Sequence, residues 1–177
     1  VYLEDGQTWL LDGCRSLPQL RRLTLRGMER EVLHGASREL AKNVSELCFD
    51  ELPPLTFARE ARSWLAPGRR TRRIALCARS WIAGHWRATV AVEQATADGG
   101  ERVAQLELSR PGAPYAASLD AFFDFIAETL HGLRPLDLAR VEVKLLKPIQ
   151  DERQQTRLEE SLARGTTAGT PVVFIER

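Results

Sequence analysis

The stretch WRATVAVEQATADGGERVAQLELSRP, residues 86–111, constrains the fold more than any other part of the chain. Trp86, Ala88, Val90 and Val92 alternate with Arg87, Thr89, Ala91 and Glu93, so one face of a strand is apolar and the other wet. After Asp98-Gly99-Gly100, a turn sequence, Ala104, Leu106 and Leu108 repeat the alternation. The two runs predict an antiparallel hairpin with one apolar face that needs a cover. SLDAFFDFIAETLHG supplies it. Leu119, Phe122, Phe123, Ile126, Ala127 and Leu130 form one apolar stripe, with Ser118 as N-cap, Asp120 in the first turn and Gly132 at the end. That stripe reads as core.

Around this centre, LARVEVKLL turns Val141, Val143 and Leu145 inward, and Pro148 closes the strand. LTFAREARSW at 55–64 reads as extended. Residues 69–83 place Ile74, Cys77, Ala78, Trp81 and Ile82 at helical spacing, with Gly84 as the stop. From Leu55 the expected order is therefore strand, helix, strand, strand, helix, strand, a ferredoxin-like βαββαβ unit of the α+β class with a mixed or antiparallel sheet. Its helices would cover one sheet face and leave the other open. A polar helix at about 151–163 and the strand PVVFIE extend the plan, with Gly165 and Gly169 as breaks.

Upstream, VYLE and QTWLL flank Asp5-Gly6 as a short hairpin, and residues 17–47 carry a mainly helical pattern interrupted by Gly27 and Gly35. Pro53-Pro54 ends this portion. The expected division is 1–54, a hairpin plus a helical portion; 55–150, the βαββαβ domain; and 151–177, a helix and a final strand.

Apolar residues at 44% and charged residues at 28% fit a globular chain rather than a disordered one. No apolar run approaches the roughly 18–20 residues that span a bilayer, and VYLEDGQTW lacks the features of a signal peptide. The opening Val1 fits a processed chain or a piece of a longer one. Cys14, Cys48 and Cys77 have no CxxC spacing, which suggests reduced, buried thiols and a cytoplasmic setting.

The net charge of +1 gives no overall field toward nucleic acid, yet REARSWLAPGRRTRR at 59–73 concentrates six arginines against one glutamate. Neither a nucleotide loop, a GxSxG elbow, HExxH nor an EF-hand pattern occurs, so no cofactor is expected. Asp50 and Glu51 in CFDEL are a carboxylate pair of the kind that holds Mg²⁺, but such a site needs a third carboxylate, and a plain acidic pair at a helix end is the simpler reading. LPQLRRLTL and VSELCFDEL carry the leucines of leucine-rich repeats. Their drifting spacing and the central hairpin leave only a generic protein-interaction scaffold.

Two family resemblances rest on these segments. The hairpin, SLDAFFDFIAETL and LARVEVKLLKP, in that order from Trp86 to about Gln155, resemble the little-finger domain of Y-family translesion DNA polymerases, in particular their catalytically silent ImuB-like members. A DG turn, an LxRP corner and a last strand ending in proline recur there. The resemblance implies a non-catalytic domain that lays its open sheet face on duplex DNA within a repair or replication assembly of other proteins. The implied DNA-contacting residues are Arg87, Thr89, Arg102, Arg110, Arg140 and Lys144, with Arg69, Arg70, Arg72 and Arg73 beside them. Glu93, Glu101, Glu107 and Glu142 are interleaved with this set. LTLRGMEREVLHG, VEVKLLKP and VVFIER resemble segments of dihydroneopterin aldolase, a T-fold enzyme. That alternative implies a pterin site with Lys147 as acid/base residue and Asp120 as pterin anchor.

Overall fold

The computed structural model describes residues 2–3, 19–26, 44–50, 52–67, 69–79, 87–96, 100–109, 116–146, 149 and 151–175. Eight strands form one mixed sheet in strictly sequential order: β1 Tyr2–Leu3, β2 Arg22–Arg26, β3 Glu46–Asp50, β4 Arg73–Arg79, β5 Arg87–Gln94, β6 Arg102–Ser109, β7 Arg140–Leu145 and β8 Val172–Phe174. β1 to β4 run parallel, β4, β5 and β6 form an antiparallel meander, and β6 to β8 are parallel again. Three helices make the described crossovers: α1 Pro54–Trp64 from β3 to β4, α2 Ala116–Leu133 from β6 to β7, and α3 Glu152–Gly165 from β7 to β8. They lie side by side in chain order, α1 against α2 and α2 against α3.

This architecture corrects the expected one. The class is α+β with a mixed sheet, but the described elements before Pro54 are strands of the same eight-stranded sheet, not a helical portion ahead of a four-stranded ferredoxin-like unit. Two segments inside the supposed helical stretch are strands. Leu23 and Leu25 of β2, and Leu47 and Phe49 of β3, are buried on one side, while Thr24 and Cys48 between them are only half-buried. That is strand periodicity, and it sits in a leucine-rich run that a helix pattern also fits.

The two segments after Pro54 exchange types. LTFAREARSW is helix α1: Pro54 occupies its first turn, where a missing N–H costs nothing, and Phe57, Ala58, Ala61 and Trp64 recur at helical spacing on the buried side. RIALCAR, expected as a helix, is strand β4, with Ile74, Leu76 and Ala78 buried on the covered face. Asp5, Gly6 and most of the leading segment lie outside the described residues; β1 itself pairs in parallel with β2.

The downstream elements follow their sequence signals. β5 and β6 pair as a hairpin, with Val90 opposite Leu106 and Ala88 opposite Leu108. Phe122, Phe123, Ile126, Ala127 and Leu130 of α2 enter the core, and Val141 and Val143 meet them from β7. Asp151 caps α3 by accepting from the Arg153 N–H at 3.0 Å. The helix layer is drawn tight by two glycines. A Cβ on Gly132 would stand 2.6 Å from Ala58 Cβ of α1, and one on Gly165 would stand 2.7 Å from Leu130 Cβ of α2.

A buried polar chain closes one end of the sandwich. Thr71 Oγ1 donates to Val44 O at 2.9 Å, Gln94 Nε2 donates to Thr71 O at 3.3 Å, and Arg102 donates to Gln94 Oε1, Leu136 O and Leu65 O. Pairing them keeps the cost of burying these groups low. With the helices on one side and this chain at the end, the opposite sheet face is left without a helical layer among the described residues.

Candidate functional site: the uncovered sheet face

Strand alternation sends every second residue of β2 to β7 to the uncovered face, and the register lines these residues up in rows across the strands. One row reads Arg22, Glu46, Arg73, Glu93, Val103, Arg140. Four positions in succession alternate in sign. A second row reads Arg26, Asp50, Cys77, Thr89, Glu107, Lys144. Between them runs Thr24, Cys48, Ala75, Ala91, Gln105, Glu142. This middle row consists of short side chains for most of its length, so two charged banks flank a low floor.

The result is a trench that crosses the strands nearly at right angles. Ala75 and Ala91 of its floor are 2% and 1% exposed. Toward β7 the trench widens into a depression of about 440 Å³ lined by Arg73, Thr89, Ala91, Gln105, Glu107, Glu142, Lys144 and Ile175. Exposed Val173 and Ile175 of the β8 segment mark its far end.

The banks are electrostatically stitched. Arg22 meets Glu46 at 2.6 Å, and Arg26 Nε lies 3.8 Å from Asp50 Oδ2. Arg140 reaches both Glu101 at 2.5 Å and Glu142 at 2.8 Å, and Lys144 Nζ lies 3.5 Å from Glu107. The hydrogen bond that Arg140 donates to Glu142, reinforced by the nearby Glu101 charge, holds the Arg140 guanidinium above its ordinary range. Among the described side chains, six cations, Arg22, Arg26, Arg73, Arg87, Arg140 and Lys144, share this face with five carboxylates, Glu46, Asp50, Glu93, Glu107 and Glu142. This described set is highly charged but nearly neutral.

The sequence-derived residues divide accordingly. Arg73, Arg87, Thr89, Arg140 and Lys144 stand on the uncovered face, and Arg69, Arg70 and Arg72 lie in the segment leading into β4. Arg102 does not join them. It has the parity of Ala104, Leu106 and Leu108, so it turns under the helices and closes the buried polar chain described above. Arg110 and Lys147 lie outside the described residues. Asp120 pairs with Arg157 of α3 on the outer side of the helix layer, beside the Asp124–Arg164 pair at 2.7 Å. Asp50 is buried on β3, Glu51 lies outside the described residues, and no group of three metal-ligating side chains is assembled among the described residues.

No protein-family model, curated protein or solved structure matches this chain. The geometry of the face therefore carries the functional reading by itself. Among the described residues no helix is long and apolar enough to cross a membrane. The row structure was hidden from sequence reading because it depends on the parallel register of β2, β3 and β4; the alternation within β5, β6 and β7 was its visible sign.

Proposed function

We propose that the chain is a binding domain whose uncovered sheet face docks an extended polypeptide bearing side chains of both signs. The observation that carries this reading is the short-residue trench between one bank of alternating charge and a second bank charged at both ends. A segment lying across the strands would place small side chains over Ala75 and Ala91 and exchange ion pairs with Arg22, Glu46, Arg73 and Glu93 on one side and Glu107 and Lys144 on the other. Complementary charges of this kind fix register and exclude wrong partners more than they add affinity.

Duplex DNA is the competing occupant, in keeping with the little-finger resemblance. It fits the face less well, because phosphate contacts need cations in excess, whereas Arg22, Arg26, Arg140 and Lys144 are each held by a carboxylate. Peptides selected from a random display library against the wild-type chain provide the test. Glu93→Arg reverses the sign of an exposed position on the first bank and is expected to weaken the selected peptides at least about tenfold, or ~1.4 kcal/mol, with the melting temperature little changed. Unchanged affinity in Glu93→Arg, or duplex DNA binding whose affinity falls log-linearly with salt over several contacts, would overturn the reading.

A further inference from the structure

The uncovered face also carries a pair of thiols that peptide docking does not require. Cys48 on β3 and Cys77 on β4 are not in a disulfide, are partly exposed, and hold their sulfur atoms 3.4 Å apart. Thr89 Oγ1 stands 4.0 Å from Cys77 Sγ. Asp50, opposite Cys77 in the register, is 7% exposed, and its Oδ1 has no hydrogen-bond partner. Two thiols in contact beside a buried, half-satisfied carboxylate form an arrangement that attracts a positive ion.

We infer that Cys48 and Cys77 form a two-thiolate site for a soft, thiophilic monovalent cation of the cuprous kind. Bridge length selects an ion over a disulfide. Cys48 lies opposite Ala75, so Cys77 is its diagonal neighbour two residues further along β4. With strands about 4.8 Å apart and a rise of about 3.3 Å per residue, the two Cα atoms are about 8 Å apart. A disulfide accepts at most about 6.8 Å between Cα atoms without backbone movement. A metal bridge with bonds of about 2.3 Å spans sulfur separations up to about 4.6 Å, within reach of side-chain rotation alone.

Ligand number selects the type of ion. Zinc sites use three or four protein ligands, whereas a pair of soft thiolates suits cuprous ion. The hydrogen bond with Cys77, burial and the Asp50 charge all push the Cys48 thiol well above its ordinary range, with Arg73 opposing them. On binding, two S–H bonds break, two sulfur–metal bonds form and a pair of protons passes to solvent; the ion keeps its oxidation state. The remaining negative charge faces Arg73.

The full chain, kept reduced and anaerobic, is titrated with cuprous ion against a competing chromogenic chelator. The site predicts one ion per chain, release of a pair of protons, tighter binding as pH rises, retention in Cys14→Ser, and loss to background in Cys48→Ser and in Cys77→Ser. Binding that survives either of those two substitutions, or that disappears in Cys14→Ser, overturns the assignment. Should the serine variants misfold, alkylation of the wild-type chain decides. Cuprous ion must then protect Cys48 and Cys77 from iodoacetamide, and absence of that protection overturns the site. Rapid formation of a Cys48–Cys77 disulfide with diamide would equally overturn the choice of a metal bridge.

Discussion

Phe49→Ala is expected to lower the unfolding free energy by about 3–5 kcal/mol, the range for deleting a fully buried aromatic side chain. Phe49 is completely shielded on β3, between β2 and β4, and its ring stands edge-on to Phe57 of α1, with centroids 6.5 Å apart at 79°. The substitution leaves a void at the junction of sheet and helix layer, where the flanking strands cannot collapse without breaking their ladders. The aromatic pair adds a coupling of about 0.5–1.5 kcal/mol, which a double-mutant cycle with Phe57→Ala isolates. Urea denaturation measures both quantities. A loss below about 1 kcal/mol would place Phe49 outside the core and contradict the inclusion of β3 in one continuous sheet.

Glu60→Leu is expected to act in the opposite direction and raise stability by about 1–3 kcal/mol. Glu60 is 1% exposed on α1, one turn before Trp64, and its Oε1 makes no hydrogen bond. Arg59 Nη2 lies 3.6 Å from it, too long to compensate a buried carboxylate, and Arg59 Nε and Nη2 are themselves without hydrogen bonds. Leucine fills a similar volume without the desolvation cost. Arg59, whose side chain retains 29% exposure, can then turn its head group to water. Glu60→Ala is the control, since it removes the charge but opens a cavity, and it should gain less than leucine. A clear loss of stability in Glu60→Leu, read by the same denaturation experiment, would mean that the carboxylate is compensated in the fold.

The legible parts of the fold were those in which one periodicity excluded the other. In β5 and β6, eight-residue strands alternate around a glycine turn, and α2 carries an apolar stripe too long for a strand. The misread parts were short. RIALCAR satisfies both periods, because Ile74, Cys77 and Ala78 are three and four apart while Ile74, Leu76 and Ala78 are two apart. Its sheet neighbours on both sides decide between them, and neighbours are a tertiary fact. In LTFAREARSW the decisive signals were Pro54 at the helix start and the 57, 58, 61, 64 spacing.

The same limit applied to the candidate site. Arg102 shares the parity of Ala104, an inward position two residues later, so parity alone excludes it from the wet face. The trench and the Cys48–Cys77 contact were beyond sequence reading. They arise from the register of β3 on β4, which brings together residues 29 apart in the chain.

The central claim is that the uncovered face is the docking surface, and amide chemical-shift mapping tests it most directly. The labelled chain is titrated with a library-selected peptide. The account predicts perturbations running across the strands at Thr24, Cys48, Ala75, Ala91 and Gln105 and along the two charged banks, with α2 and α3 unaffected. Perturbations confined to the helix layer, around Asp120, Asp124, Arg157 and Arg164, would contradict it.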